Sequence, residues 1–390
     1  MEEVRDRAEW NKRIARMKRE QKKARMRQRL LLIVGVLVIC AVILSVMMIR
    51  IGHKDTVNDV SDGSGVTADA SAEGQGIRID VSGRAGDGIL LQDDNDISAS
   101  VSEYDDKVGT DNLTESHVNN KTYSYTEADN LEYLVSDNMT SAHAILVDVD
   151  NGLITGAVDH KARIYPASMT KIMTLLVAVE NTTDFKKKVS VSQDATNYAY
   201  SKKLSAVNFD IGEEVTIEDL CYGTILPSGA DAAAELAIQT AGSMDAFVDM
   251  MNEKAKALGI SGTTHFANVS GSHDENNYST CYDIAIIMNA AMDNEYCRKV
   301  LSEHRYTTSA SAEHPDGIEI SNWFLRRIED KDTGGEVIGA KTGFVVESRN
   351  CAASYYTSAS GRNYIAVTVN AHSAWRCIYD HVDIYKNHTK

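Results

Sequence analysis

Proline is almost missing from this chain: Pro166, Pro227 and Pro315 are the only three in 390 residues. Cysteine is sparse too. Its six positions (Cys40, Cys221, Cys281, Cys297, Cys351 and Cys377) are scattered, and no C-x-x-C pair occurs. A disulfide scaffold is therefore excluded, and a zinc ribbon or thioredoxin-like site lacks its ligands. Cys221, Cys281, Cys297, Cys351 and Cys377 are expected to be buried free thiols. Positive charge is in deficit, with 40 Lys+Arg against 56 Asp+Glu for a net −16. No nucleic-acid partner is expected, because phosphate binding runs on Lys and Arg. Neither a G-x-S-x-G elbow nor an H-E-x-x-H helix is present, which removes two common hydrolase patterns. The histidines, His265 and His273 among them, show no metal-ligand spacing. No metal and no cofactor are expected.

What is present is strongly segregated. Residues 1–29 hold twelve Lys/Arg against five acids, a net +7. Leu30 to Ile49 then form twenty residues without a charge, LLLIVGVLVICAVILSVMMI. As a helix that run spans about 30 Å, the thickness of a hydrocarbon core. It is longer than a signal-peptide apolar region of roughly 7–15 residues, and no A-x-A-like cleavage site follows. The reading is an uncleaved, single-pass signal anchor in the cell membrane. The basic flank stays cytoplasmic and the rest lies outside the cell. A buried core helix is the alternative. Basic residues 1–29 could also meet nucleic acid, but the inside flank of a span already accounts for them. Residues 50–135 are rich in Ser, Asp, Gly, Thr and Asn, with seventeen acids and five bases between 53 and 130. Such a stretch cannot bury enough apolar surface to offset its chain entropy, and it reads as a disordered acidic tether. Short apolar patches at 76–81 and 89–91 are candidate docking strands.

Residues 136–390 read as the folded domain. Ala142–Val147 and Leu153–Val158 are strand-like, with Asn151-Gly152 between them as a hairpin signal. Ser168–Val179 is apolar almost all round, which places a helix inside a domain. Ile217–Ile225, Asp231–Ala241, Met244–Leu258 and Tyr282–Met292 are further helical stretches. Glu336–Ala340, Cys351–Thr357 and Asn363–Ala371 are strand-like again, followed by an amphipathic helix near Ala374–Lys386. Strands at both ends and helices between predict an α+β fold, an antiparallel sheet from the N- and C-terminal parts around a helical insertion.

Three segments carry chemistry. In YPASMTK, Ser168 and Lys171 stand at i and i+3, neighbours on one helix face. A serine hydroxyl needs a base to become a nucleophile. A lysine serves as that base only when desolvation or a nearby cation lowers its pKa. In LPSGAD, Ser228 could relay a proton between Lys171 and a leaving amine. In AKTGF, Lys341 and Thr342 on an edge strand suit a carboxylate, and Gly343 lets substrate backbone come close. Each segment alone is commonplace, and a serine and lysine one turn apart are usually a solvated face. Their order and separation are not commonplace.

The order S-x-x-K, S-x-N, K-T-G resembles the signature of penicillin-binding proteins and serine β-lactamases. The phrases ARIYPASMTKIMTLLVAVE, GEEVTIEDLCYGTILPSGADAAAELA, HFANVSGSHDENNYSTCYDIAIIM and IGAKTGFVVESRNCAASY narrow the resemblance. They look like the D-alanyl-D-alanine carboxypeptidase family of low-molecular-weight penicillin-binding proteins, over about residues 137–387. The resemblance implies a β-lactamase/transpeptidase-like fold. It also implies removal of the terminal D-alanine from peptidoglycan stem pentapeptides through an acyl-serine, with β-lactam antibiotics as covalent inhibitors. Position by position it implies Ser168 as nucleophile, Lys171 as general base and Ser228 as the second-motif serine. Lys341 would be the cation of the third motif and Thr342 would bind the substrate carboxylate. The N–H groups of Ser168 and Phe344 would form an oxyanion hole. Arg376 would hold the substrate's terminal carboxylate, with a plain surface arginine as the alternative.

Three departures stand out. The second motif reads Ser228-Gly229-Ala230, so an expected asparagine amide is missing. The implied cost is a roughly ten- to hundredfold slower reaction, to be recovered by Ala230→Asn. The chain stops soon after its last helix, where many relatives add a β-rich domain. The hydrophobic segment reads as retained. The competing functions are a β-lactamase, for which no E-x-x-L-N segment is seen, and a catalytically weak wall-binding or regulatory protein.

Overall fold

The computed structural model describes residues 123–134 and 139–389. The expected basic flank, the apolar run 30–49 and most of the tether lie outside those residues. Among the described residues no helix is long and apolar enough to cross a membrane.

In chain order the strands are β1 (Thr126–Tyr133), β2 (His143–Asp148), β3 (Leu153–Val158), β4 (Lys188–Ser190), β5 (Glu214–Thr216), β6 (Arg305–Thr307), β7 (Glu319–Ser321), β8 (Gly335–Val345), β9 (Arg349–Ser358) and β10 (Asn363–Ala371). The helices are α1 (Thr170–Glu180), α2 (Gln193–Ser201), α3 (Ile217–Ile225), α4 (Ala230–Ala241), α5 (Met244–Ala257), α6 (Cys281–Asp293), α7 (Glu295–Leu301), α8 (Leu325–Ile328) and α9 (Ala374–His388). The main sheet has the order β1-β3-β2-β10-β9-β8. Early and late strands meet where β2 pairs antiparallel with β10, Ile145 opposite Val367. This is the α+β arrangement expected, with the helices of the middle inserted between the two halves of one sheet.

One expectation needs correction. The folded unit does not wait for residue 136: β1 belongs to it and pairs parallel with β3, Thr126 opposite Leu153. Its sequence TEADNLEY is polar and almost wholly exposed, so no apolar alternation announces it. The hairpin expected around Asn151-Gly152 forms: β2 pairs antiparallel with β3, joined through residues 149–152. Asp148 accepts from the Asn151 backbone N–H at 3.0 Å and from its side-chain amide at 2.8 Å. Gly152 alone takes positive φ there, at +67°.

Both faces of the central strands are covered. Ile145, Val147, Ile365 and Val367 face one apolar cluster together with α1 and α6. Ala144, Leu146, Tyr364 and Ala366 face the other, with Cys377, Ile378, Ile384 and Tyr385 of α9. Burial on both sides is why β2 reads as a continuous apolar run rather than an alternating one. Thr170 to Val179 of α1 are all buried. That makes α1 the central post of the domain, each large apolar side chain contributing about 1.5–3 kcal/mol. On the opposite face α9 is fastened by a buried polar set. His381 Nδ1 lies 2.7 Å from Ser354 Oγ and Nε2 lies 3.0 Å from Thr368 Oγ1. Burial lowers the His381 imidazole to about 3, so it stays neutral.

Candidate active site

Ser168 sits in a single turn of 3-10 helix, Ala167–Met169, that runs into the N-terminus of α1. The helix begins later than the sequence suggested because Ala167 takes a left-handed conformation, φ +47°. Pro166 fixes the approach, and Met169 N–H donates to the Pro166 carbonyl at 3.1 Å. The i, i+3 pairing survives: Lys171 Nζ donates to Ser168 Oγ at 3.1 Å. It also donates to the Ser270 carbonyl at 2.8 Å.

Lys171 is 2% exposed. Burial pulls its pKa well below the usual lysine range, and the charge of Lys341 lowers it further. Asp231 opposes both, more weakly. A neutral amine has two N–H groups and one lone pair. With one N–H held by the Ser270 carbonyl, the lone pair is free to turn toward Ser168. The arrangement is a serine hydroxyl paired with an amine able to take its proton.

The other two motifs meet each other. Lys341, also 2% exposed, donates to Ser228 Oγ at 2.9 Å and to the Thr342 carbonyl at 2.9 Å. Burial lowers its pKa to about 7. Ser228 has φ +62°, a conformation costly for a residue with a side chain and typical of functional sites. No hydrogen bond joins Ser228 to Lys171 among the described residues, so the relay read from the sequence needs a different partner, Lys341. Asp231 points elsewhere: its carboxylate accepts from Val207 N–H and Asn208 N–H, both at 2.9 Å. It thereby fastens the segment 204–208 to α4.

Lys341, Thr342 and Gly343 lie inside β8, an edge strand, as expected. Gly343 is needed for a reason other than substrate approach. A Cβ there would stand 2.8 Å from Cys351 Sγ and 2.9 Å from Ser168 N. Its bareness lets β8 lie directly against the nucleophile's backbone.

These residues share one cleft of about 350 Å³. Ser168, Lys171, Ser228, Thr342, Gly343 and Phe344 all line it. Arg376 does not. It is exposed in the first turn of α9, although Ala374 and Cys377 beside it do reach the wall. The structure therefore leaves Arg376 out of the expected carboxylate site. No Asp or Glu lines the cleft, while Lys171 and Lys203 do. With Lys171 neutral, Lys203 is the cation on that wall, in a chain that is acidic as a whole. Cys351 and Cys377 reach the wall too, and all five described cysteines are free and buried. Burial pushes the Cys351 thiol up to about 12, so it is no rival nucleophile.

Three parts of the wall were given no role from the sequence: Lys203-Leu204-Ser205, Ser270-Gly271-Ser272 and Trp323. Lys203 has φ +54°. The Ser270 loop is held by Asn268, whose Oδ1 accepts from Ser270 N–H at 3.2 Å and Gly271 N–H at 2.8 Å. Asn-x-x-Gly is a recognisable side-chain-stabilised turn, the one signal that could have found it. Tyr198 of α2 adds a contact of 2.7 Å between its hydroxyl and Ser270 Oγ.

Gly271 has φ +77°, and a Cβ there would lie 1.7 Å from the Ala167 carbonyl oxygen. Gly271→Ala should therefore displace Ser168 and the Ser270 carbonyl together. A misplacement of about 1 Å costs roughly 10²-fold. Stopped-flow acylation by a fluorescent penicillin should slow by at least that much in a folded protein. A rate within threefold of the native one would contradict this account of the loop.

A family model described as D-alanyl-D-alanine carboxypeptidase matches residues 130–373. A D-alanyl-D-alanine carboxypeptidase of Bacillus subtilis is 31% identical over 208 residues, 53% of this chain and 52% of that one. One of Streptomyces is 32% identical over 197 residues, 47% of this chain and 65% of that one. The chain thus spans about half the length of the Bacillus relative that it matches. Among solved structures, the Streptomyces DD-transpeptidase superposes with a TM-score of 0.58 at 25% identity, covering 65% of this chain and 98% of that one. A carboxypeptidase of Mycobacterium tuberculosis, at 24% identity and a TM-score of 0.56, shares the fold.

Proposed function

The chain belongs to the D-alanyl-D-alanine carboxypeptidase family, and from that footing we propose that it removes the terminal D-alanine of peptidoglycan stem pentapeptides. The single observation that carries the reading is the buried Lys171 amine, 3.1 Å from Ser168 Oγ and lowered in pKa. Ser168 attacks the carbonyl carbon of the penultimate D-alanine while its proton passes to Lys171. The amide N–H groups of Ser168 and Phe344 take the negative charge of the tetrahedral oxygen. The C–N bond then breaks as the leaving amine takes the proton that Lys171 received from Ser168, which leaves Lys171 neutral again for the hydrolytic step, while Ser228, held by Lys341, lines the path beside them. Thr342 and Lys341 bind the terminal carboxylate. Water hydrolyses the acyl-serine and frees Ser168. A β-lactam with its own carboxylate enters the same way and stays as an ester. With no carboxylate on the cleft wall to activate a water, turnover of penicillin should be negligible.

The test is D-alanine release from a pentapeptide ending in D-Ala-D-Ala beside one ending in D-Ala-L-Ala. Release from the first alone supports the reading. Equal release, or none from either, refutes it.

Ala230 is completely buried and off the cleft wall. The Ser270 carbonyl already supplies the lysine's acceptor. The slow enzyme expected from the missing amide is therefore revised. Ala230→Asn should change penicillin acylation by no more than about threefold, its gain offset by overpacking a filled position. A tenfold rise would restore the original expectation.

For placement, the reading is an N-terminal anchor at 30–49 with the domain outside the cell, supported by the +7 flank before an uncharged run of twenty. Protease added to intact protoplasts should release a soluble penicillin-binding fragment cut within 50–122. A domain that stays whole until lysis would contradict that topology.

A further inference from the structure

Only three tryptophans occur in the chain, and two of them touch. The Trp323 and Trp375 ring centroids are 5.8 Å apart, and Trp375 is 6.4 Å from Tyr379. The Arg327 guanidinium lies 4.9 Å over Trp323 and 5.8 Å over Trp375. Trp375 and Tyr379 stand at i and i+4 on α9, so they share one face. They are 48% and 40% exposed, whereas Ile378, Ile384 and Tyr385 of the same helix are buried and hold it to the core. Trp323 packs its inner side on that core and lines the catalytic cleft with Ser168.

We propose that Trp323, Trp375 and Tyr379 form a saccharide-binding strip leading from the cleft, which grips the glycan carrying the stem peptide. This rests on the reading that the cleft takes such a peptide. Flat, rigid rings with a polar edge suit the apolar C–H faces of a pyranose, and they lose little entropy on binding. The Arg327 donors sit between the indoles, where sugar hydroxyls and carbonyls need partners. Continuity decides the occupant: the strip begins on the cleft wall, and the substrate's remote part is a sugar chain. The enzyme would then prefer glycan-attached substrate to free peptide.

The test compares kcat/KM of the full-length protein on a disaccharide-pentapeptide and on the free pentapeptide. The attached form should be favoured roughly tenfold. Trp375→Ala should remove most of that preference and leave the free-pentapeptide value within about twofold. Equal values in the native protein, or a preference that Trp375→Ala does not touch, overturn the proposal. A second arm needs no catalysis. In a Trp10→Phe background, where the two strip tryptophans remain, chitotetraose should change the fluorescence saturably, and Trp375→Ala should abolish the response. That outcome without D-alanine release would keep the strip and refute the proposed activity. Quenching by brominated-lipid vesicles in place of a sugar response would mean that the strip faces a bilayer, and it would overturn the proposal.

Discussion

Ser168→Ala should give a folded protein that forms no penicillin adduct and releases no D-alanine. The hydroxyl is the atom to which the acyl group attaches, so its removal ends the covalent route rather than slowing it. No other residue is placed to replace it. Ser228 Oγ is bonded to the Lys341 amine, but its left-handed backbone sets it apart from the α1 N-terminus. Cys351 is close, but its thiol is held protonated by burial. Alanine fits the 3-10 turn, so the melting temperature should stay within a few degrees of the native one. Intact mass after incubation with penicillin gives the answer. A stoichiometric adduct on the substituted protein would move the nucleophile elsewhere.

Lys171→Met should lower the acylation rate by roughly 10³-fold, within the range of a lost general base. Methionine keeps most of the buried stem and removes the amine. The pH profile of the native protein identifies the same group. Because the Lys171 pKa is lowered, the amine is neutral and competent above that lowered value, and acylation falls as pH drops through it. On the other side Lys341 loses its charge near pH 7 in the free protein. Capture of a substrate carboxylate should therefore weaken above about that pH in kcat/KM. The Lys171→Met protein should lose the acid limb and keep the alkaline one. The linked stability runs in the same direction. The unfolded chain binds more protons than the folded one between each lowered value and the usual lysine range. Stability therefore falls as pH drops from the lysine range toward about 7, where Lys341 takes up its proton. A rate loss under tenfold, or an unchanged acid limb, would remove Lys171 from the base role.

The sequence carried the parts of this site that side chains encode. Ser168, Lys171, Ser228 and Lys341 converge from segments up to 173 positions apart, as their order implied. It could not show what the backbone supplies. The Ser270 carbonyl that holds Lys171 leaves no mark in residue type, and the left-handed turns at Ala167 and Lys203 contradict local preference. β1 escaped because an exposed edge strand has no apolar face to display. Gly343 was legible as a close approach but not as an approach by Ser168, since the neighbour is fixed only by the sheet. Arg376 was placed by its position along the chain, and the first turn of α9, capped by Ser373, leaves it on the surface.

The most direct test is a time course of intact mass on the full-length protein, given a D-Ala-D-Ala pentapeptide and, separately, penicillin. The account predicts one acyl group per chain from each, mapped to Ser168. The peptide adduct should be transient with D-alanine released in step, and the penicillin adduct long-lived. Penicillin consumed in many turnovers, or an adduct on any residue other than Ser168, would contradict it.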